Sequence, residues 1–280
     1  MTARTWFITG INSGLGRHLT GQLLEHGDRV AGTIRKEGSV DDLKAIHGDR
    51  LWTAHLDVTD VAEIKTVVSR AFAELGSVDV IVNNAGYGLF GAAEEVIDCQ
   101  IDHIIATNLT GSIQVIRASL PYLRVQGGGR IIQISTFGGQ TAFAGGSMYH
   151  ATKWGIEGFA EAVRQEVAPF GIGVTIAEPG GARTGFRYGS SQLGPRLSAY
   201  DGNPAAGIRA VIEAGTAVPP GDPAKMAAVI IDSADRDPAP SRIVLGSDSF
   251  NFIRKALTDR LAVIEAQREL AVSTDFPQGQ

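Results

Sequence analysis

The chain has 280 residues, of which 44% are hydrophobic and 20% charged, and its formal net charge at pH 7 is −5. This composition is typical of a globular protein, and without a basic patch it argues against a nucleic acid partner. The single Cys99 excludes an internal disulfide, which fits a reducing compartment, and no His/Cys cluster has metal-ligand spacing. The first strand pattern leaves no room for a signal peptide, and no apolar run reaches membrane-spanning length. We therefore expect a soluble, cytoplasmic protein with no metal ion and no membrane partner.

A glycine-rich turn joins the first predicted strand to the first predicted helix. The apolar residues 6–9 are followed by Gly10, Gly14 and Gly16, and helical periodicity then runs over residues 15–25. Backbone amides at such a helix start can hold a pyrophosphate, and the helix dipole assists them. This arrangement predicts a dinucleotide site.

The end of the second predicted strand indicates which dinucleotide binds. Residues 28–34 are followed by Arg35-Lys36, and no acid appears before Glu37. An acid at this point binds the ribose 2′-hydroxyl of NAD, whereas an arginine can bind the 2′-phosphate of NADP. The sequence therefore favours NADP over NAD, although a solvated charged loop is the alternative interpretation.

Strands and helices alternate along the chain, with no internal repeat and no linker-like segment. Further strands are predicted at 51–55, 78–82, 129–135, 172–177 and 242–245, and helices at 60–75, 101–123, 149–168, 204–218, 223–232 and 252–270. Alternation of this kind predicts a parallel sheet wrapped by helices on both faces. We expect an α/β fold, a Rossmann-type doubly wound parallel sheet in a single domain over residues 1–280.

Asn108 stands out because it lies in an apolar helical context. A buried asparagine needs hydrogen-bond partners, so this residue either binds the backbone structurally or lines a site. The segment Asn83-Asn84-Ala85-Gly86 follows a buried strand, where ligands bind in this architecture.

Tyr149 and Lys153 are four residues apart in a predicted helix, so their side chains share one face. Opposite charges at about 4 Å attract by roughly 4 kcal/mol, enough to lower a phenol pKa from about 10 to near working pH. A phenol with such a pKa is an effective proton donor. The alternative is a surface pair without a role.

Residues 183–203 form a long segment with apolar faces, which suits a substrate lid, and residues 248–272 predict an amphipathic C-terminal helix. This helix could pack on its own domain or on a second subunit. Candidate pocket residues are mostly apolar, which predicts a neutral, fairly hydrophobic substrate. They are Tyr87, Leu89, Phe90, Phe137, Phe143, Met148, Phe186 and Tyr188.

The motifs occur in a fixed order within residues 5–184. They are Thr9-Gly10-x-x-x-Gly14-x-Gly16, Asp57, Asn83-Asn84-Ala85-Gly86, Asn108, Ser135, Tyr149-x-x-x-Lys153 and Pro179-Gly180. Their order and spacing resemble those of the short-chain dehydrogenase/reductase family. Residues 245–276 resemble a subgroup with an extended tail that is described as retinol or steroid dehydrogenase-like.

The resemblance implies an NADP(H)-dependent alcohol/carbonyl oxidoreductase. Tyr149 would protonate the carbonyl oxygen, Lys153 would lower the tyrosine pKa and hold the nicotinamide ribose, and Ser135 would bind the same oxygen. Asn108 would hold a water of a proton relay. The implied cofactor contacts are Gly10, Ser13, Gly14, Leu15, Gly16, Arg35, Asp57, Val58, Asn83, Ala85, Gly86, Ile134, Tyr149, Lys153, Pro179, Gly180 and Thr184.

One further expectation follows from the resemblance. The helices at 101–123 and 149–168 would form subunit contacts, giving a homodimer or a homotetramer, although their apolar residues could equally face the sheet. One departure is Ala182, where the family usually has a larger branched residue. A catalytically silent NADP-binding sensor or regulator is the alternative function, although a sensor needs neither a proton donor nor a relay.

Overall fold

The computed structural model describes residues 3–276. Its strands, in chain order, are β1 Thr5–Thr9, β2 Arg29–Ile34, β3 Leu51–His55, β4 Val80–Asn83, β5 Leu89–Phe90, β6 Gly129–Ile134, β7 Ile172–Pro179, β8 Gln192–Leu193 and β9 Arg242–Leu245. Seven of them form one parallel sheet in the spatial order β3-β2-β1-β4-β6-β7-β9, while β5 and β8 pair separately. The order reverses direction between β1 and β4, which confirms the predicted Rossmann-type sheet.

Within residues 3–276, ten α-helices connect and follow these strands. They are α1 Gly14–Glu25, α2 Asp41–His47, α3 Val61–Leu75, α4 Asp98–Ile104, α5 Ser112–Val125, α6 Ser147–Val167, α7 Ala206–Ala214, α8 Pro223–Ser233, α9 Ser247–Glu265 and α10 Arg268–Val272. The helix predicted from residue 60 begins as expected, because the Asp60 side chain accepts hydrogen bonds from the amides of Ala62 and Glu63 at 2.9 Å.

Helices cover both faces of the sheet, and the alternation of strand side chains supplies an apolar surface to each. Trp6 and Ile8 of β1 pack toward α1 and α8, whereas Phe7 between them packs toward α3, α5 and α6. A third apolar cluster joins β5, α6 and the segment around Phe186 beyond the carboxyl ends of the strands. The two layers fix the sheet, and the third cluster forms one wall of the cleft described below.

The helix predicted at 101–123 is longer and less regular than expected. It spans α4, a π-helical stretch at Ile105–Gly111, and α5. The wider turns bring Thr107, Asn108 and Gly111 to the buried side together, and a Cβ on Gly111 would lie 2.5 Å from the Val58 carbonyl oxygen. Such π-helical turns are frequent at functional sites.

Two other helices differ from their predicted bounds. The helix predicted at 204–218 is α7, which ends at Gly215, a glycine with φ +66°. The predicted C-terminal helix is divided into α9 and α10, and residues 277–280 of the predicted domain lie outside the described residues. Across residues 3–276, no helix combines the length and apolar character needed to cross a bilayer.

Candidate active site

A cleft of about 540 Å³ runs along the carboxyl ends of the parallel strands. The residue directly after each of six strands lines it, and the cleft crosses the point between β1 and β4 where the strand order reverses. These residues are Gly10, Arg35, Leu56, Asn84, Ser135 and Gly180. Ligands of open parallel sheets bind at this position, so the fold alone directs attention to the cleft.

The glycine turn after β1 forms one side of the cleft. Gly10 and Gly14 have φ +74° and +55°, in the left-handed region that favours glycine. A Cβ on Gly16 would lie 2.3 Å from the Gly10 carbonyl oxygen, so the turn closes only without a side chain there. Ser13 makes no side-chain cap, and the first turn of α1 carries no acidic residue, which leaves this helix end suited to a phosphate.

The cleft is also lined by a buried polar atom without a partner in residues 3–276. Thr107 lines the cleft, is 7% exposed, and its hydroxyl makes no hydrogen bond within residues 3–276. The glycine turn and the unpartnered Thr107 hydroxyl, which can both donate and accept a hydrogen bond, fit a polar ligand such as a dinucleotide. The residues present therefore fit the cofactor that the sequence predicts.

Arg35, Asp57 and Val58 line one end of the cleft together. Burial opposes ionisation of Asp57, but hydrogen bonds from Thr59 and the nearby Arg35 charge outweigh it and lower the Asp57 pKa. Arg35 itself is exposed and makes no ion pair in the described part of the chain. Its guanidinium is therefore available to an anionic ligand.

Tyr149 and Lys153 lie on one face of α6 and both line the cleft. Each is 7% exposed, and the Lys153 Nζ lies 5.9 Å from the centroid of the Tyr149 ring. The ammonium donates a hydrogen bond of 3.1 Å to the carbonyl oxygen of Ile134, at the end of β6. The spacing in the sequence thus predicted the juxtaposition correctly.

The predicted downward shift of the Tyr149 pKa is wrong. Burial raises the pKa of Tyr149, and burial also lowers the pKa of Lys153 to about 8, against an opposing effect of the Glu157 carboxylate. Desolvation disfavours both charged forms, and it exceeds the attraction between them that the sequence argument considered. Tyr149 is consequently a protonated phenol, which can donate a proton.

A threonine supplies the hydroxyl beside Tyr149. The Thr136 hydroxyl lies beside the phenol, where it opposes the rise of the Tyr149 pKa on burial, and it donates to the Pro179 carbonyl oxygen at 3.2 Å. Ser135, the residue predicted for this place, donates instead to the buried Glu157 carboxylate at 2.5 Å. Both residues line the cleft, but Glu157 engages the Ser135 hydroxyl, so Thr136 is the hydroxyl beside the phenol. No pattern in the sequence distinguished Thr136 from Ser135.

The same distinction separates Asn83 from Asn84. The Asn83 side chain donates to Ser112 and Gln133 inside the protein and lies outside the cleft. Asn84 lines the cleft, and its amide group donates to the carbonyl oxygens of Thr9 and Gly10 at 2.9 and 3.0 Å, which holds the glycine turn. Asn84 is therefore a residue of the site that the predicted contact set omits.

The hydrogen bonds of Asn108 decide between the two roles that its sequence context left open, a structural contact to the backbone and a place in the wall of a site. Its side-chain oxygen accepts from the Tyr87 amide at 3.0 Å, and its nitrogen donates to the Tyr87 carbonyl at 2.8 Å. A Cβ on Gly86 would lie 3.1 Å from the Asn108 Oδ1 and 4.0 Å from the Lys153 Nζ. Asn108 thus binds the backbone behind the cleft and lies close to Lys153.

The other predicted cofactor residues fall into two groups. Gly16 lies behind the glycine turn rather than on the cleft wall. The remaining ones line the cleft, and they are Gly10, Ser13, Gly14, Leu15, Arg35, Asp57, Val58, Ala85, Gly86, Ile134, Tyr149, Lys153, Pro179, Gly180 and Thr184.

The end of the cleft beyond Tyr149 is apolar and aromatic. Its lining includes Tyr87, Phe90, Phe137, Phe143 and Phe186. Three other candidate pocket residues do not line it. Leu89 and Met148 pack in the apolar cluster beneath, and the Tyr188 hydroxyl donates to Ala217 at the surface.

The predicted lid segment contributes directly to this end. Thr184 and residues 186, 187 and 189–192 line the cleft, and β8 within the segment pairs with β5 beside Phe90. In residues 3–276, no group of three or more His, Cys, Asp or Glu side chains could hold a metal ion.

Comparison with known proteins agrees with this geometry. Residues 4–192 match the family described as short chain dehydrogenase. Oxidoreductase BOA17 of Botryotinia fuckeliana is 33% identical over 97% of this chain and 99% of its own length. Retinol dehydrogenase 5 of Mus musculus is 37% identical over 64% of this chain and 56% of its own length.

Solved structures share the architecture. A short-chain dehydrogenase from Streptomyces avermitilis is 38% identical, with a TM-score of 0.92 over 98% of this chain and 100% of that chain. The closed form of a serine dehydrogenase complexed with NADP+ is 28% identical, with a TM-score of 0.71 over 86% of this chain and 93% of that chain. The chain belongs to the short-chain dehydrogenase/reductase family, and it is an oxidoreductase of that family.

Proposed function

We propose that this protein interconverts a neutral, fairly hydrophobic carbonyl compound and the corresponding secondary alcohol with NADP(H), and that Tyr149 is its acid/base. One observation carries the proposal. A buried, protonated phenol, an ammonium and a hydroxyl share one cleft with a glycine turn that fits a dinucleotide.

The proposed chemistry divides between cofactor and protein. The bound nicotinamide supplies or accepts the hydride. In the direction of reduction, the Tyr149 phenol donates a proton to the carbonyl oxygen, and the Thr136 hydroxyl contacts the same oxygen. Lys153 places a positive charge near the developing alkoxide, where donors that are already oriented need no reorganisation. Thr136 takes the role that the resemblance gives to Ser135, because Ser135 is engaged by Glu157.

Three features support NADP as the cofactor. Arg35 follows β2, lines the cleft and has no competing ion pair in residues 3–276. No acidic residue stands before it at the strand end, where an NAD site usually has one. A related dehydrogenase binds NADP+ in its solved structure.

The lining of the cleft beyond Tyr149 supports the proposed substrate class. Five aromatic side chains line that end, namely Tyr87, Phe90, Phe137, Phe143 and Phe186. Apolar walls of this kind bind ligands mainly by burial of apolar surface. We expect neutral substrates to be preferred over phosphorylated or strongly acidic ones, because aromatic rings offer an anion no hydrogen-bond donor; Arg187 of the lid also lines the cleft, and a measured preference for acidic substrates would implicate it.

The decisive experiment is a panel of ketones, aldehydes and secondary alcohols assayed with NADPH and NADH in parallel. We expect steady NADPH oxidation with apolar ketones or aldehydes and weaker turnover with NADH. Tight NADPH binding without turnover on any substrate would favour the sensor or regulator instead. The same protein sample can be measured by light scattering, for which we expect a homodimer or a homotetramer.

Replacing Arg35 with alanine tests the cofactor assignment. Loss of a charge-assisted contact to the 2′-phosphate should raise the KM for NADPH by roughly 10- to 100-fold, while the KM for NADH changes less than about threefold. Steady-state kinetics with both cofactors measures the difference. Lys36→Ala is the matched control, since Lys36 is an adjacent exposed cation that does not line the cleft. Equal changes for NADPH and NADH would contradict the assignment.

The Lys153 pKa predicts the pH dependence of reduction. The kcat/KM for a carbonyl substrate reports ionisations of the free enzyme, in which burial lowers the Lys153 pKa to about 8. The ammonium is present below that pH and is lost as pH rises through it, while burial keeps Tyr149 protonated. We therefore expect kcat/KM to fall about tenfold per pH unit above about pH 8. Lys153→Arg, which stays charged, should remove this decline, and an unchanged alkaline limb in that variant would assign it to another group.

A further inference from the structure

A buried ion pair lies beside the apolar end of the cleft and outside the proposed chemistry. Arg209 of α7 contacts Glu95 through Nη2 and Oε2 at 3.1 Å. The two residues are only 7% and 4% exposed, respectively. Charged groups at this depth are rare and need a full set of partners.

The pair has those partners, and they come from separate parts of the chain. The two Glu95 carboxylate oxygens accept from the amides of Ala92 at 2.8 Å and Leu197 at 3.1 Å. The Arg209 Nη2 also donates to the Gly194 carbonyl oxygen at 2.8 Å. Gly194 and Leu197 belong to the segment 183–203, so the pair connects the end of that segment to the turn after β5 and to α7.

Each connected element reaches the substrate end of the cleft. Residues 189–192 line the cleft just before Gly194, and Phe90 lines it just before the turn that carries Glu95. Ile208, the residue before Arg209, lines it from α7. A Cβ on Gly194 would lie 2.6 Å from the Glu95 carbonyl oxygen, so the segment is held close to the turn.

A buried ion pair contributes little net stability, since desolvation offsets the attraction between the charges. The pair is satisfied only when both charges and their hydrogen-bond partners are in place, so it favours one arrangement of the segment. Removing one partner leaves an unpaired buried charge and disrupts that arrangement. An apolar contact in this place would not discriminate between positions of the segment in the same way.

We propose that Glu95 and Arg209 are positioning residues that hold the segment 183–203 over the cleft and thereby set the affinity for the hydrophobic substrate. This inference rests on the proposed function for the identity of the ligand, but the placement of the segment can be measured without it. The pair does not touch the reacting atoms.

Arg209→Met and Glu95→Gln test the proposal, with Arg209→Lys as the conservative variant. We expect the KM for an apolar ketone to rise about tenfold in the first two variants, with kcat within about threefold and the Kd for NADPH unchanged. Arg209→Lys should give a KM between those of the wild type and Arg209→Met. Hydrogen exchange at residues 190–203 should be at least about tenfold faster in the first two variants, because each leaves the other member of the pair without its charged partner and weakens the contact between Glu95 and the Leu197 amide.

Arg196→Ala is the matched control. It removes the Arg196–Asp201 pair of the same segment, whose two side chains are 64% and 48% exposed, and should change neither KM nor exchange. Should Arg209→Met not fold, Glu95→Gln gives the same readouts. Wild-type exchange rates and KM in folded Glu95→Gln would overturn the proposal. Faster exchange in the variants of a protein with no carbonyl turnover would support the positioning role and contradict the proposed function alone.

Discussion

Tyr149→Phe should lower kcat for carbonyl reduction by roughly 10³-fold, within the range observed for loss of a positioned general acid. The substitution removes the phenol hydroxyl that burial keeps protonated and leaves the ring, which packs against Phe90 and Phe186 at centroid distances of 5.6 and 6.1 Å. Because this packing is unchanged, we expect the melting temperature to stay within a few degrees of the wild type. Stopped-flow absorbance of NADPH consumption at saturating substrate measures the effect.

The control for Tyr149→Phe is Tyr122→Phe. Tyr122 is also a tyrosine stacked on an aromatic ring, Phe72, at 4.6 Å, but it lies on α5 away from the cleft. We expect wild-type kinetics in that variant. NADPH binding, followed by its fluorescence, should be retained in both variants. If turnover in Tyr149→Phe equals that of the wild type, Tyr149 is not the acid and the proposed mechanism is incorrect.

The features of the fold that could be predicted from the sequence depend on short-range patterns. Short apolar runs identified β1, β6 and β7, and Asp60 marked the start of α3. Helical spacing also placed Tyr149 and Lys153 on one face, because one turn of a helix has a fixed geometry. The π-helical stretch could not be predicted in this way, since it depends on how Asn108 and Gly111 meet Tyr87 and Val58.

The errors at the site arise from long-range packing. The Tyr149 pKa depends on desolvation, which no pair spacing reveals. The choice between Ser135 and Thr136 depends on Glu157, which lies 22 residues away and accepts the serine hydroxyl. The contact between Glu95 and Arg209 spans 114 residues. Such contacts exist only in the folded chain, so the sequence identified the candidate residues but not which side chains face the cleft.

Glu157 shows why one of the two adjacent hydroxyls has a structural role. Its carboxylate is 3% exposed, burial raises its pKa, and Ser135 and Arg242 are its hydrogen-bond donors. Removing the Ser135 hydroxyl would leave a buried carboxylate with fewer donors, and that loss affects stability before it affects chemistry. The Thr136 hydroxyl, by contrast, contacts the phenol and opposes the effect of burial on its pKa.

Thr136→Val and Ser135→Ala should therefore have opposite effects. Thr136→Val keeps the shape of the side chain but removes the hydroxyl beside the phenol, so we expect kcat to fall by roughly 10²-fold with little change in melting temperature. Ser135→Ala should reduce the free energy of unfolding by about 1–3 kcal/mol and keep kcat within about threefold. Urea denaturation and steady-state kinetics of both variants measure the two effects.

Thr136→Ser, which restores a hydroxyl, should recover most of the turnover. Normal turnover in Thr136→Val together with loss of turnover in Ser135→Ala would return the role to Ser135, and would imply that Glu157 releases this hydroxyl when substrate binds.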